Sequence, residues 1–182
     1  MNLATLFFIV MFLTATVWHF SSLAARLHRT HLRRDQALNS LRQHLALRDT
    51  CVARLVTSGM LDDQTSKELK IGLESLIQNS EISFRDYLSA ESDLTGLLVD
   101  SFSEKSIVAN LMESTQSAAM IFDLTRSSKR VQLARRFHND AVGASQLLHS
   151  RTAVRLFRLA GHTKVPTTVD LDDRVPEGLS TL

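Results

Sequence analysis

A chain of 182 residues with 44% hydrophobic and 22% charged residues has room for one ordinary core plus an anchor, and a net charge of only +2 makes no case for nucleic-acid binding from totals alone. A single cysteine, Cys51, excludes an internal disulfide framework and any cysteine-based zinc site. With six glycines, and two prolines that both follow Val165, almost nothing interrupts helix formation earlier in the chain.

From Leu3 to Leu23 the chain reads LATLFFIVMFLTATVWHFSSL with no charged residue, long enough to span a bilayer as a helix of about 20 residues. Trp18 and His19 lie towards its C-terminal end, where an amphipathic ring suits the headgroup level. A cleaved signal peptide is the rival reading, favoured by Ala24 and Ala25 and opposed by the lack of a basic stretch ahead of the apolar run. Arg26, Arg29, Arg33 and Arg34 follow, with His28 and His31, and no acidic residue comes before Asp35. The positive-inside rule then predicts a cytoplasmic body and a short outside N-terminus. Arg26, Arg29 and Arg33 share one helix face, where they fix topology or engage anionic lipid.

No breaker occurs until Gly59, so the membrane helix is expected to continue into the body and couple the two rigidly. Leu38, Leu41, Leu45, Arg48, Val52 and Leu55 alternate steps of three and four, the seam of a helix that packs against partners. Arg48 interrupts that apolar row, and a guanidinium there needs a carboxylate; Glu91, Asp93 and Asp123 are all candidates. Ser58 and Gly59 close this helix, and Asp62 or Asp63 caps a second one that turns Leu69, Leu73, Leu76 and Ile77 to the core and ends near Asn79. A third helix starts around Ser83 and carries Ile82, Phe84, Leu88, Leu94, Leu97, Leu98 and Phe102 as its apolar set. Ser103 and Glu104 open a fourth, which is expected to run unbroken for about 50 residues to Phe157. Its inward row is Ile121, Leu124, Ser128, Val131, Arg135, His138, Val142 and Ser145. The last stretch, GHTKVPTTVDLDDRVPEGLSTL, reads as a disordered polar tail.

Two blocks, LRQHLALRDTCVARLV from Leu41 to Val56 and VQLARRFHNDAV from Val131 to Val142, with weaker support from AESDLTGLLVDSF between Ala90 and Phe102, resemble the LemA family in order and spacing. The resemblance implies an elongated antiparallel helical bundle behind one membrane anchor, with the N-terminus outside and the body cytoplasmic. The chain departs from the family pattern at His138, usually tyrosine, at Ser128, usually glutamate, and at Ser145 and Gln146, usually a Tyr–Asn pair. The predicted architecture is therefore all-α: a transmembrane anchor over residues 1–25, a bundle of about four helices, two of them long, over 26–160, and a tail over 161–182.

Chemistry-bearing residues are sparse. His138 and Asp140 stand two apart on a helix and point in different directions, and there is no phosphate loop, nucleophile motif or paired carboxylate signature. No catalytic residue, cofactor site or metal site is assigned: His28 with His31, and His138 with His149, each lack a third ligand at recognisable spacing. Cys51 reads as a small buried apolar residue. Arg126, Lys129, Arg130 and Arg136 form a basic patch that reads as a solvated face or a docking surface, without the aromatic interleaving or motif of a nucleic-acid site. Arg48, Arg135, His138 and Asn139 read as a polar seam holding the bundle in register. Two roles are then expected: a membrane-tethered, non-enzymatic interaction scaffold with a membrane or envelope protein partner, or a lipid-engaging structural protein that uses its juxtamembrane arginines on anionic lipid and assembles laterally as a homo-oligomer.

Overall fold

The computed structural model describes residues 3–150 and 167–180, and among these all regular structure is α-helical. The helices are α1 (Leu3–Thr57), α2 (Asp63–Ile82), α3 (Phe84–Ser101), α4 (Lys105–Leu111), α5 (Thr115–His149) and a final turn α6 (Glu177–Ser180). They divide between two units. One comprises Met1–Ala37 with His138–Thr168, the other Leu38–Phe137 with Val169–Leu182.

The first unit begins with the apolar stretch of α1. Ala4–Ser22 is long and apolar enough to cross a membrane and is 0% buried, a profile that a signal sequence also satisfies. Phe7, Phe8, Phe12, Val17 and Trp18 all lie on its exposed surface. Within this stretch the Thr14 and Thr16 hydroxyls donate to the carbonyls of Val10 and Phe12, each at 2.7 Å. Polar groups that close onto their own helix in this way need no water, which suits a hydrocarbon environment. In the same unit, His138, Val142 and Ser145 of α5 are buried, as their three-and-four spacing predicts.

The second unit holds the core. Val52 and Leu55 of α1, Leu69 and Leu76 of α2, Ala90, Leu94 and Leu98 of α3, Phe102, Val108 of α4, Ile121 and Leu124 of α5, and Leu179 of α6 form one buried cluster. A second cluster joins Leu41 and Leu45 to Leu88, Val131, Ala134, Val169 and Leu171. Leu41, Leu45, Val52 and Leu55 of the first seam row read from the sequence, and Ile121, Leu124 and Val131 of the second, fall in these clusters, because a stripe repeating every three or four positions is the only face a helix can bury continuously; Leu38 and Arg135 of the same rows are only half-buried. The helix ends follow local chemistry. Gly59 takes φ of +70° just past α1, where a residue without Cβ is unstrained. Asp62 caps α2 by accepting from the Thr65 N–H at 2.9 Å, and Ser83 caps α3 by accepting from the Asp86 N–H at 3.1 Å. Gly72 lets α2 approach α3 closely, since a Cβ there would stand 3.0 Å from the Leu97 side chain.

Three expectations are corrected. The fourth helix is not continuous: it breaks between Leu111 and Thr115, where Ser117 bonds back to the carbonyls of Leu111 and Ser114, so that hydroxyls compete with the helical ladder in a Ser/Thr-rich stretch. Ile77 and Ile82 are exposed, at 67% and 71%, because they fall on the outer face of α2 once Leu69 and Leu76 turn inwards. The disordered tail expected from residue 161 is overturned for residues 167–180, which bury Val169, Leu171 and Leu179. Gly178 sits against α4, with its N–H bonded to the Phe102 carbonyl at 3.0 Å, and a Cβ at that position would lie 2.5 Å from that oxygen. Low hydrophobicity on average concealed the few apolar residues that dock this segment.

Candidate functional site

The polar centre of the second unit is built from adjacent residues of α1 and one stripe of α3. Tyr87, Glu91 and Thr95 follow at intervals of four and so share one face of α3. Arg48 and Asp49 of α1 meet that face. The Arg48 side chain is 2% exposed and Glu91 is fully buried, and the two form an ion pair through Arg48 Nη2 and Glu91 Oε2. Arg48 Nη1 donates to Thr95 Oγ1 at 2.9 Å, and Thr95 Oγ1 donates in turn to the Glu91 carbonyl at 2.9 Å. A guanidinium in an apolar row is tolerable only with such a set of acceptors, since desolvation of an unpaired charge costs several kcal/mol or more, on the order of the whole stability of a domain. Of the three carboxylates foreseen, Glu91 is the partner. Asp93 is exposed, and Asp123 lies at the surface 3.4 Å from Arg54.

Asp49 makes the cluster unusual. Its Oδ2 accepts from the Tyr87 hydroxyl at 3.4 Å, while its Oδ1 and Glu91 Oε1 are both buried without a donor among the described residues. Burial first, then the charge of Glu91 and a hydrogen bond with it, push the Asp49 carboxyl up to about 8, against the opposing pull of Arg48. Tyr87 is likewise pushed upwards, by burial and then by Glu91 and Asp49. Two carboxyl groups therefore stand against one guanidinium, and Asp49, with its raised pKa, is the one that carries a proton below about pH 8. Beside Asp49 and Tyr87 a groove of about 340 Å³ opens, walled by Ala53, Leu73, Leu76 and Ile77. The arrangement can hold and release a proton near neutral pH. It contains no nucleophile oriented by a base, and among the described residues no three His, Cys, Asp or Glu side chains gather as metal ligands would.

The other seam residues take separate partners. Arg135 grips the tail rather than another helix: its Nε and Nη2 meet Asp173 Oδ2 and Oδ1 at 2.6 and 3.1 Å in a forked pair. Asp172 N–H donates to Ser92 Oγ at 3.1 Å, fixing the same segment to α3. His138 and Asn139 belong to the first unit. His138 is buried there, and its basicity is lowered by burial and then by the Arg34 charge, against a hydrogen bond to the Arg34 backbone. Asn139 is half-buried. Of the four arginines that follow the apolar stretch, Arg26, Arg29 and Arg33 are exposed, whereas Arg34 turns to Asp35 with Nη2 to Oδ1 at 2.6 Å. Arg126, Lys129, Arg130 and Arg136 are all exposed on α5, His28 is exposed, and the His149 side chain lies outside the described residues. Cys51 is a free thiol, partly buried against the core.

Sequence reasoning passed over Asp49, Tyr87 and Asp173. The four-residue repeat of Tyr87, Glu91 and Thr95 was available as a signal for a polar stripe on α3; nothing local marks Asp173 as a partner for Arg135. No family model, no curated protein and no solved structure matches this chain.

Proposed function

We propose that this chain is a membrane-tethered, non-enzymatic interaction scaffold of the LemA type, an antiparallel helical bundle held at the cytoplasmic face by its N-terminal helix. The observation that carries the reading is the pairing of Ala4–Ser22, apolar and wholly unburied, with an all-helical unit whose own core is complete. Hydrophobic surface of that extent has no stable place in water, and the arginines that follow it suit the cytoplasmic leaflet. The order and spacing of the Leu41–Val56 and Val131–Val142 blocks support the family resemblance, and the Arg48–Glu91 pair and the Arg135–Asp173 fork would hold the bundle's register.

A second reading, a lipid-engaging protein that assembles laterally, is favoured by Arg26, Arg29 and Arg33, which remain exposed on one face of α1. Crosslinking in intact membranes followed by pull-down separates the two. Recovery of a defined protein partner is the result expected of a scaffold; clustering of the chain alone, tracking anionic lipid content, is the result expected of the second reading and would displace the first.

A further inference from the structure

The surface of α5 that faces away from the core has a composition that neither role above uses. Phe122, Arg126, Lys129, Leu133 and Arg136 follow in steps of four and three, and Arg130 and Phe137 fill the same side. At about 100° per residue all seven fall within roughly a third of the helix circumference, opposite the buried row of Leu124, Val131 and Ala134. Phe122, Leu133 and Phe137 are 49%, 52% and 60% exposed, and all four basic residues are exposed with them. No acidic residue lies within this arc between Phe122 and Phe137; the exposed Asp140, one turn beyond Arg136, is the first carboxylate along it. Asp123 at its edge faces Arg54, with Nη1 to Oδ2 at 3.4 Å, and on the other flank Lys129 borders a groove where Glu177 is accompanied by Arg174.

An outer helix face is ordinarily a mixture of both charge signs with few large apolar groups. Here three large apolar side chains, two of them aromatic, alternate with four cations, and of the carboxylates at the borders Asp123 is engaged by Arg54. Cations attract an anionic surface over a Debye length of about 8 Å at physiological salt, and phenylalanine and leucine side chains between them gain by entering the acyl boundary. Long arginine and lysine side chains can lie along the apolar surface while keeping their heads at phosphate level. A single charged cluster would give weak, purely ionic adsorption; the apolar side chains add the second contribution that stable attachment requires.

We propose that the exposed face of α5 from Phe122 to Phe137 is a binding surface for an anionic lipid bilayer, distinct from the arginines at the end of the membrane helix. It gives the chain two membrane contacts, one inserted and one peripheral. The inference rests on the membrane-tethered reading only for its biological setting, and it is tested separately from it.

The full chain is reconstituted through its N-terminal helix into zwitterionic nanodiscs, whose formation reports on the anchor alone, and is then mixed with phosphatidylcholine vesicles or with vesicles rich in phosphatidylglycerol. Capture by the anionic vesicles only, falling as salt rises, is expected. Combined Arg126→Gln, Lys129→Gln, Arg130→Gln and Arg136→Gln should weaken it on the order of a hundredfold or more. Phe122→Ser with Phe137→Ser should weaken it at unchanged helicity and leave the residual capture more sensitive to salt. Arg26→Gln, Arg29→Gln and Arg33→Gln together should leave it in place. Equal capture by both vesicle types, or undiminished capture of the four-fold glutamine variant, would overturn the proposal. So would loss of capture in the Arg26, Arg29 and Arg33 variant alone, which would return lipid binding to the end of the membrane helix. Binding to polyglutamate without binding to anionic vesicles would also overturn it and assign the face to an acidic polypeptide.

Discussion

Arg48 and Glu91 are worth more to this protein as a pair than either is alone, because each removes the penalty of burying the other. Arg48→Ala should destabilise the folded body by about 3–5 kcal/mol, leaving the Glu91 carboxylate buried without its cation. Arg48→Met combined with Glu91→Leu should cost clearly less than Arg48→Ala, as measured by thermal melts followed by circular dichroism in the same micelle. Asp49 brings a pH dependence of defined sign. Its folded pKa of about 8 stands above its ordinary 3.8, so the folded state binds a proton that the unfolded state has released. This contribution to stability is complete below about pH 4 and is lost as pH rises through about 8. The melting temperature should therefore fall between those limits, and Asp49→Asn should remove that slope. An unchanged slope in the variant would place the titrating group elsewhere. At this scale the sequence revealed that Arg48 needed a carboxylate, and its candidates included the right one. It could not rank them, since the distance from α1 to Glu91 is set by how α3 packs rather than by local spacing.

At the scale of elements, the helices are legible where their caps are strong and obscured where side-chain hydroxyls or distant residues decide. Gly59, Asp62 and Ser83 mark boundaries by chemistry that acts within four residues, and each falls where the text of the chain places it. The break at Met112–Ser114 has no glycine or proline to announce it, and the docking of residues 167–180 depends on a pocket assembled from α3, α4 and α5. That docking is a testable feature. Gly178→Ala would place a methyl group against the Phe102 carbonyl and the Val108 side chain and should cost about 1–3 kcal/mol, with increased proteolysis of the tail as the direct sign. Arg135→Ala should lower stability by a similar amount, about 1–3 kcal/mol, by leaving the mostly buried Asp173 carboxylate without its forked partner. If the tail contributes nothing, both variants will melt with the parent and be cleaved no faster.

For the whole molecule, the class of fold and the presence of an apolar N-terminal helix follow from the near absence of glycine and proline and from one uncharged run, signals that need no tertiary information. The proposed orientation rests on the exposed arginines after that run, and the proposed scaffold role depends on it. Accessibility of the C-terminal segment in living cells tests this most directly. Ser180 is exposed on α6, so Ser180→Cys in a Cys51→Ser background presents one reporter thiol without disturbing the buried residues beside it. The account predicts that a membrane-impermeant maleimide leaves this thiol untouched in intact cells and labels it only after lysis, with the protein retained in the membrane fraction. Labelling in intact cells, or recovery of a shortened soluble protein, would contradict it, placing the body outside the cytoplasm or converting the apolar helix into a cleaved signal.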